Sequence, residues 1–164
     1  MSETRQPVHR NLEGEQEYVA AISEVIEKAQ RTLHIFDIDL SSAGYQSVQR
    51  YEALRDFMVR SRNSTLVFVL HDTAYFERYC PRLMNLLKLY SHRISVLQTQ
   101  EQGRSANDPF LIADEMHYVH RFHADGTRSK VGWDDHAGAS ALDERFQQLL
   151  ETAQPAVSAT TLGL

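Results

Sequence analysis

The sequence predicts an α/β fold: one mixed sheet of parallel strands plus a C-terminal hairpin, with helices on both faces. Three observations predict it. Helix-period apolar stripes alternate with short apolar runs from Tyr18 to Thr99. The run Thr65–Leu70 is apolar on both faces, as a central parallel strand is. Two strand-like runs between Pro109 and His123 are separated only by Glu115 and Met116, the spacing of a hairpin. With 164 residues, 42% of them apolar and 24% charged, the chain suits one domain with a real core and not a disordered or fibrous protein.

Residues 1–11 carry no periodic pattern and read as a flexible leader to a single domain spanning 12–154. Tyr18, Ala21, Ile22, Val25, Ile26 and Ala29 recur at steps of three and four, opposite Glu15, Glu17, Glu24, Glu27 and Lys28, which is the pattern of an amphipathic helix. Leu33–Leu40 is a short apolar run with β-branched and aromatic content and reads as the first strand. Val48, Tyr51, Leu54, Phe57 and Met58 mark a second helix through 45–60, which ends before the turn-forming Ser61–Ser64. Thr65–Leu70 is the second strand and leaves at His71, Asp72 and Thr73. Pro81 suits a first helical turn, where its missing N–H costs nothing, and Leu83, Leu86, Leu87 and Tyr90 supply the stripe of a third helix. Ile94–Thr99 is the third strand, and 100–108 is a polar loop. After the hairpin strands Pro109–Asp114 and His117–His123, residues 124–139 read as loop, with Gly126, Gly132, Gly138 and many charges. Ser140 and Asp143 then cap a last helix carrying Leu142, Phe146, Leu149 and Leu150, and 155–164 form a tail.

Seventeen basic and twenty-two acidic side chains give a net charge of −5, which disfavours bulk electrostatic binding to nucleic acid. Cys80 has no second cysteine to pair with, and the N-terminal stretch has no apolar run suited to a signal sequence, so the expectation is a reduced, cytoplasmic protein with no membrane span. Cys80 stands at a predicted helix start, where the helix dipole lowers a thiol pKa; with no histidine beside it in sequence, a small buried hydrophobe is the favoured reading.

Open α/β sheets bind ligands beyond the carboxyl ends of their parallel strands. The first strand ends in Asp37 and Asp39, which share a face if the strand stays regular, and the second ends in His71 and Asp72. Such groups suit a divalent cation or proton transfer to phosphate, and equally suit the capping of a following turn. His117, His120, His123 and His136 crowd one segment. On a strand His117 and His123 share a face with Arg121 while His120 points away, so three imidazoles do not converge and no metal site is expected. His117, Arg121 and His123, with Arg128 and Lys130 nearby, instead suit an anion-binding face or a solvated edge.

The order of elements, with the stretches LHIFDIDLSSAG, TLVFVLHDT, CPRLMNLLKLYSH and DPFLIADEMHYVHRFH, resembles the phospholipase D-like superfamily over roughly residues 15–152, in particular a bacterial single-domain branch. Catalytic members of that superfamily carry His-x-Lys-x4-Asp on a hairpin strand, the His attacking phosphorus and the Lys gripping phosphate oxygens, with a Gly-Ser further on. Taking Asp114 as the final residue puts Asn107 at the His position, Pro109 at the Lys position, and Arg121 and Phe122 at the Gly-Ser. Asn is no phosphorus nucleophile, and Pro offers neither charge nor donor. The resemblance therefore implies a pseudoenzyme with a degenerate motif, and, because single-domain members pair to complete a site, a homodimer. Similar segments occur fused behind acetyltransferase domains of the GNAT type. Here the nearest coenzyme-binding string, Gln100–Ser105, lacks the small final residue and precedes a strand, whereas such a loop opens a helix.

Three functions are then expected. The first is a noncatalytic module binding a phosphate-bearing ligand or a protein partner, with cleft residues Asp37, Asp39, His71, Asp72, Asp114, His117, Arg121 and His123 and neither metal nor cofactor. The second is a metal-dependent phosphatase, because Phe36–Ser41 resembles the Asp-x-Asp-x-Thr entry of the haloacid dehalogenase superfamily. That resemblance implies Asp37 as nucleophile and Asp39 as acid, with Lys130, Asp134 and Asp135 standing for later motifs. The third is a phosphodiesterase with a site rebuilt around His71 and His117.

Overall fold

A computed structural model describes residues 5–157. Strand β1 (Val8–Glu13) leads into helix α1 (Gly14–Lys28), followed by β2 (Thr32–Asp37), α2 (Val48–Arg60), β3 (Thr65–Leu70), α3 (Ala74–Tyr79), α4 (Pro81–Leu89) and β4 (Ile94–Thr99). A 3-10 turn (Glu101–Gly103), β5 (Phe110–Ala113), β6 (His117–Arg121), β7 (Arg128–Trp133), α5 (His136–Thr152) and β8 (Ala153–Val157) complete the chain. The strands form one sheet in the order β1-β7-β6-β5-β2-β3-β4-β8. β2, β3 and β4 are parallel, and every other neighbour is antiparallel, so the sheet is mixed as the sequence predicts.

Strand alternation sorts the core into two layers. Leu33, Ile35, Leu66, Phe68, Leu70, Val96, Leu111, Val119 and Val131 pack against the apolar stripes of α1, α2, α3 and α4. Phe36, Val69, Phe110, Ile112 and Tyr118 face Ala139, Leu142, Phe146 and Leu149 of α5. Three His–carboxylate contacts at 2.7 Å lie along the α5 side: His9 on β1 to Asp135, His34 on β2 to Asp143, and His120 on β6 to Asp108.

The structure differs from the sequence reading in several places. Residues 8–11, expected within a flexible leader, belong to β1, and 155–157, expected within the tail, belong to β8. Residues 1–4 and 158–164 of that leader and tail lie outside the described residues. β7 occupies part of the expected loop at 124–139. β1 and β7 each bring few large apolar side chains inward, Leu12 and Val131 among them, so neither reads as a strand alone; they pair from Val8↔Trp133 to Glu13↔Arg128 and satisfy one another's backbone. Pro155 sits in β8 at the sheet edge, where a missing N–H breaks no ladder. The N-cap of α5 is Asp135, which accepts Gly138 N–H at 3.0 Å, and not Ser140 or Asp143. Tyr118 O–H donates to the same carboxylate at 2.8 Å. Its ring lies over Gly132, its β7 partner, where a Cβ would collide with it, so this glycine is required by a close approach.

Candidate functional site

The carboxyl end of β2 is organised by Asp37. Its carboxylate accepts Leu40 N–H at 2.6 Å and Asp39 N–H at 3.3 Å. These bonds turn the chain and hold Leu40 at a φ of 66°, which is why the strand stops at Asp37 and not at Leu40. Asp37 is 3% exposed, and burial pushes its carboxyl up to about 6 against the pull of the two backbone donors. Asp39 turns away from it and accepts Ser41 N–H at 2.9 Å and Ser41 O–H at 2.6 Å. The loop that follows is pinned by the buried Arg50, whose Nη2 donates to Ala43 carbonyl at 2.8 Å and whose Nη1 donates to Ser23 Oγ at 3.2 Å. Arg121 reaches the same region from β6, over the Tyr18 ring at 5.2 Å. Its donors are already engaged: Nε and Nη2 bind Gly126 carbonyl at 3.0 and 2.7 Å, and Nη1 binds Glu15 at 3.3 Å.

His71 leaves the next strand toward the other face and packs edge-on to Phe36 at 5.2 Å. Its Nε2–H donates to Ala106 carbonyl at 2.6 Å, and Thr99 Oγ1 lies 2.6 Å from Nδ1, so both ring nitrogens are occupied. Asp72, one residue before the N-cap Thr73, accepts Ala74 N–H at 2.8 Å at the start of the short α3. On this face Asp108 accepts His120 Nε2–H at 2.7 Å and a bidentate pair of donors from Arg145. Burial raises the Asp108 carboxyl, but the bonds from Arg145 and His120 outweigh it and hold it below the usual range. Arg145 was not a sequence candidate: it lies on α5, far along the chain from Asp108, and no spacing rule links them. A polar groove of about 690 Å³ opens beside Thr99 at the carboxyl ends of β3 and β4, lined by Thr73, Gln98, Gln100, Arg104 and Gln154 among others. Sequence reasoning missed this groove too, because one wall is the unpredicted β8.

Strand β5, with Asn107 before it and Asp114 after it, runs between the two ends of the sheet. Asn107 lies before β5, and continuing the register Phe110↔His120 sets His123 directly opposite it. Their side chains meet at 2.8 Å. His123 Nδ1 accepts Asp125 N–H at 3.1 Å, and the Asn107 atom at 2.8 Å from its Nε2 is Nδ2. Pro109 is buried at the strand entrance. Asp114 lies at the far end, where its carboxylate accepts Gln30, Arg31 and Thr32 N–H at 2.9, 2.7 and 3.0 Å. His117 is also at the far end, paired with Ala113 and level with Leu33 at the start of β2. It stands roughly 20 Å from His71, given about 3.3 Å per strand residue and about 4.8 Å per strand.

The eight sequence candidates therefore divide. Asp37, Asp39, Arg121 and His123 share one end and one side of the sheet, His71 and Asp72 follow the adjacent strand, and Asp114 and His117 belong to neither group. A site shared by His71 and His117 is corrected on this ground, as is an anion face joining His117 to Arg121 and His123. Among the described residues no three His, Cys, Asp or Glu side chains converge as a metal ion requires. Cys80 is buried between α3 and α4, and burial pushes its thiol up to about 11.

This architecture is similar to that of Nuc, a phospholipase D family member from Salmonella typhimurium, with a TM-score of 0.67, 14% identity, and coverage of 93% of this chain and 100% of that one. It is similar to NucT from Helicobacter pylori, with a TM-score of 0.64, 12% identity, and coverage of 92% and 100%. It also resembles TrmBL2, an archaeal chromatin protein reported with a novel mode of DNA binding, with a TM-score of 0.66, 15% identity, and coverage of 95% of this chain; the chain spans 56% of that protein's length. The fold is phospholipase D-like. No curated protein matches the chain. Over residues 14–162 it matches the family described as Domain of unknown function (DUF7931), and it belongs to that family. No helix among the described residues is long and apolar enough to cross a membrane.

Proposed function

We propose that this chain is a noncatalytic phospholipase D-like module that binds a phosphate-bearing ligand. The observation that carries the reading is the division of the motif strand. Its acid, Asp114, is spent on three backbone N–H groups, whereas Asn107 and Pro109 stand where attack on phosphorus and the grip on phosphate require an imidazole and an ammonium. The phosphatase reading is weakened by Asp37, a carboxylate 3% exposed whose oxygen accepts the N–H groups that turn its own loop. A phosphodiesterase using His71 is weakened by the occupation of both its ring nitrogens. Binding is assigned to the groove at the carboxyl ends of β3 and β4, whose lining combines Arg104 with amide and hydroxyl groups and a single carboxylate, Glu77, that accepts from Thr73 Oγ1. A net charge of −5 favours a small ligand over extended nucleic acid.

The test is hydrolysis of bis(p-nitrophenyl) phosphate and p-nitrophenyl phosphate, with Mg²⁺ and then with chelator, by the protein and its Asp37→Asn and His71→Ala variants. No turnover above the variants is expected, together with a melting temperature raised by millimolar AMP or glycerol 3-phosphate and a smaller rise in Arg104→Gln. Turnover abolished in either variant overturns the noncatalytic reading, and melting unmoved by both phosphates overturns the ligand. Val59, Tyr79 and Leu89, exposed on α2, α3 and α4, favour a second reading, a protein partner, with another copy of this chain the first to examine. Sedimentation showing only monomer removes the homodimer.

A further inference from the structure

We propose that a cavity at the opposite end of the sheet, between the last turn of α1 and the β1–β7 edge, binds a small zwitterion: an α-amino acid with an apolar side chain. The cavity measures about 400 Å³, the size of a small-molecule site. The Trp133 ring forms one wall, with Lys28 Nζ 4.9 Å from its centroid and the His117 ring at 5.1 Å. His117 is 9% exposed. Its Nδ1 accepts Asp134 N–H at 3.0 Å, and Asp134 sits in the left-handed region at a φ of 53°. A neutral His117 ring therefore carries its proton on Nε2. That nitrogen has no hydrogen-bond partner among the described residues, and it is a donor available to an occupant. Burial holds the His117 pKa below its ordinary value, consistent with a neutral ring at pH 7.

The charges of the lining select the class of occupant. Glu24 is engaged by Arg10 at 3.6 Å. Arg5 and Lys28 then face Glu27 and Asp134, two cations and two anions of which none is ion-paired within the described residues. Water solvates the exposed Arg5, Glu27 and Lys28 in the free protein, and a simple anion or a simple cation engages only one sign of this lining. A molecule carrying both charges answers both sets. Its carboxylate meets Lys28 and the His117 donor, its ammonium meets Glu27, and its side chain lies on Trp133 and Val8. The site is distant from the groove assigned to a phosphate, so either assignment stands or falls without the other.

Trp133 is the only tryptophan, so its emission reports this cavity alone. The full chain is titrated with leucine, N-acetylleucine and leucinamide, following emission and, in parallel, calorimetric heat. A saturable response to leucine is expected, with about tenfold or weaker binding of the acetylated and amidated forms and a similar loss for leucine in Lys28→Gln. Lys28→Arg, which keeps the charge, is expected to retain most of the affinity. Absence of both an emission change and heat with leucine overturns the proposal. Binding of N-acetylleucine or leucinamide as tight as that of leucine also overturns it, in favour of a plain anion or cation site.

Discussion

The β2–β5 pair carries a buried acid at each end, and the two live under opposite conditions. Asp114, at the Thr32 end, is surrounded by three N–H groups that solvate its charge and tie the hairpin to the start of β2. Asp37, at the other end, has two such donors and deeper burial, and its carboxyl is pushed up to about 6. The first acid is a structural clamp that owes nothing to phosphate chemistry. The second shapes a turn at the position where open α/β sheets place ligands. The contrast teaches that two buried acids on one strand pair serve different ends: one ties two elements together, and the other turns its own loop.

Removing the clamp is the most direct way to break this comparison. Asp114→Ala leaves three donors without their acceptor, and a loss of about 2–4 kcal/mol is expected in urea denaturation; a loss below about 0.5 kcal/mol would place Asp114 outside the structural role. Asp37 is expected to act in the other direction. Its folded pKa of about 6 lies above the ordinary 3.8, so the folded state holds the proton longer. The stability it contributes is full below the ordinary value and is lost as pH rises toward about 6, by at most about 3 kcal/mol. Asp37→Asn should flatten that part of the stability–pH curve and leave the protein equally or more stable at pH 7. A variant with an unchanged slope contradicts the assignment.

Smaller effects sharpen the picture. Tyr118→Phe removes the donor to Asp135 at the start of α5 and should cost about 1 kcal/mol by thermal or urea melting. Asp72→Ala removes only the acceptor of Ala74 N–H at the start of the short α3, and about 0.5–1 kcal/mol is expected. A cost above that of Tyr118→Phe would give Asp72 a role the hydrogen bond to Ala74 does not explain.

Much of the central fold was legible in the chain. The both-face apolar run of β3, the stripe of α1 and the two-residue separation of β5 from β6 each encode local structure through period and turn chemistry. β1 and β8 were not legible, because each is held by ladder pairing to a neighbour distant in sequence, and β7, between β1 and β6, has no apolar pattern of its own. The candidate site was legible only in part. Asp37 and His71 were found as strand-end residues, but the face each occupies depends on where the strand stops. His123 opposite Asn107 follows from hairpin register, whereas Arg145 beside Asp108 follows from the docking of α5.

Residue pattern by itself determined the class of fold, the parallel centre of the sheet and the fact that positions 107 and 109 carry neither imidazole nor ammonium. These are matters of periodicity and of which functional groups a side chain possesses. Tertiary structure alone decided that Asp114 is a clamp and not a cleft residue, that His71 and His117 stand at opposite ends, and that the histidines Nε2-bonded or Nδ1-bonded to Asp135, Asp143 and Asp108 line the α5 side. The extension of a strand carries residues a few positions apart to opposite ends of a sheet, antiparallel return brings others level across it, and only the assembled sheet determines which groups then meet.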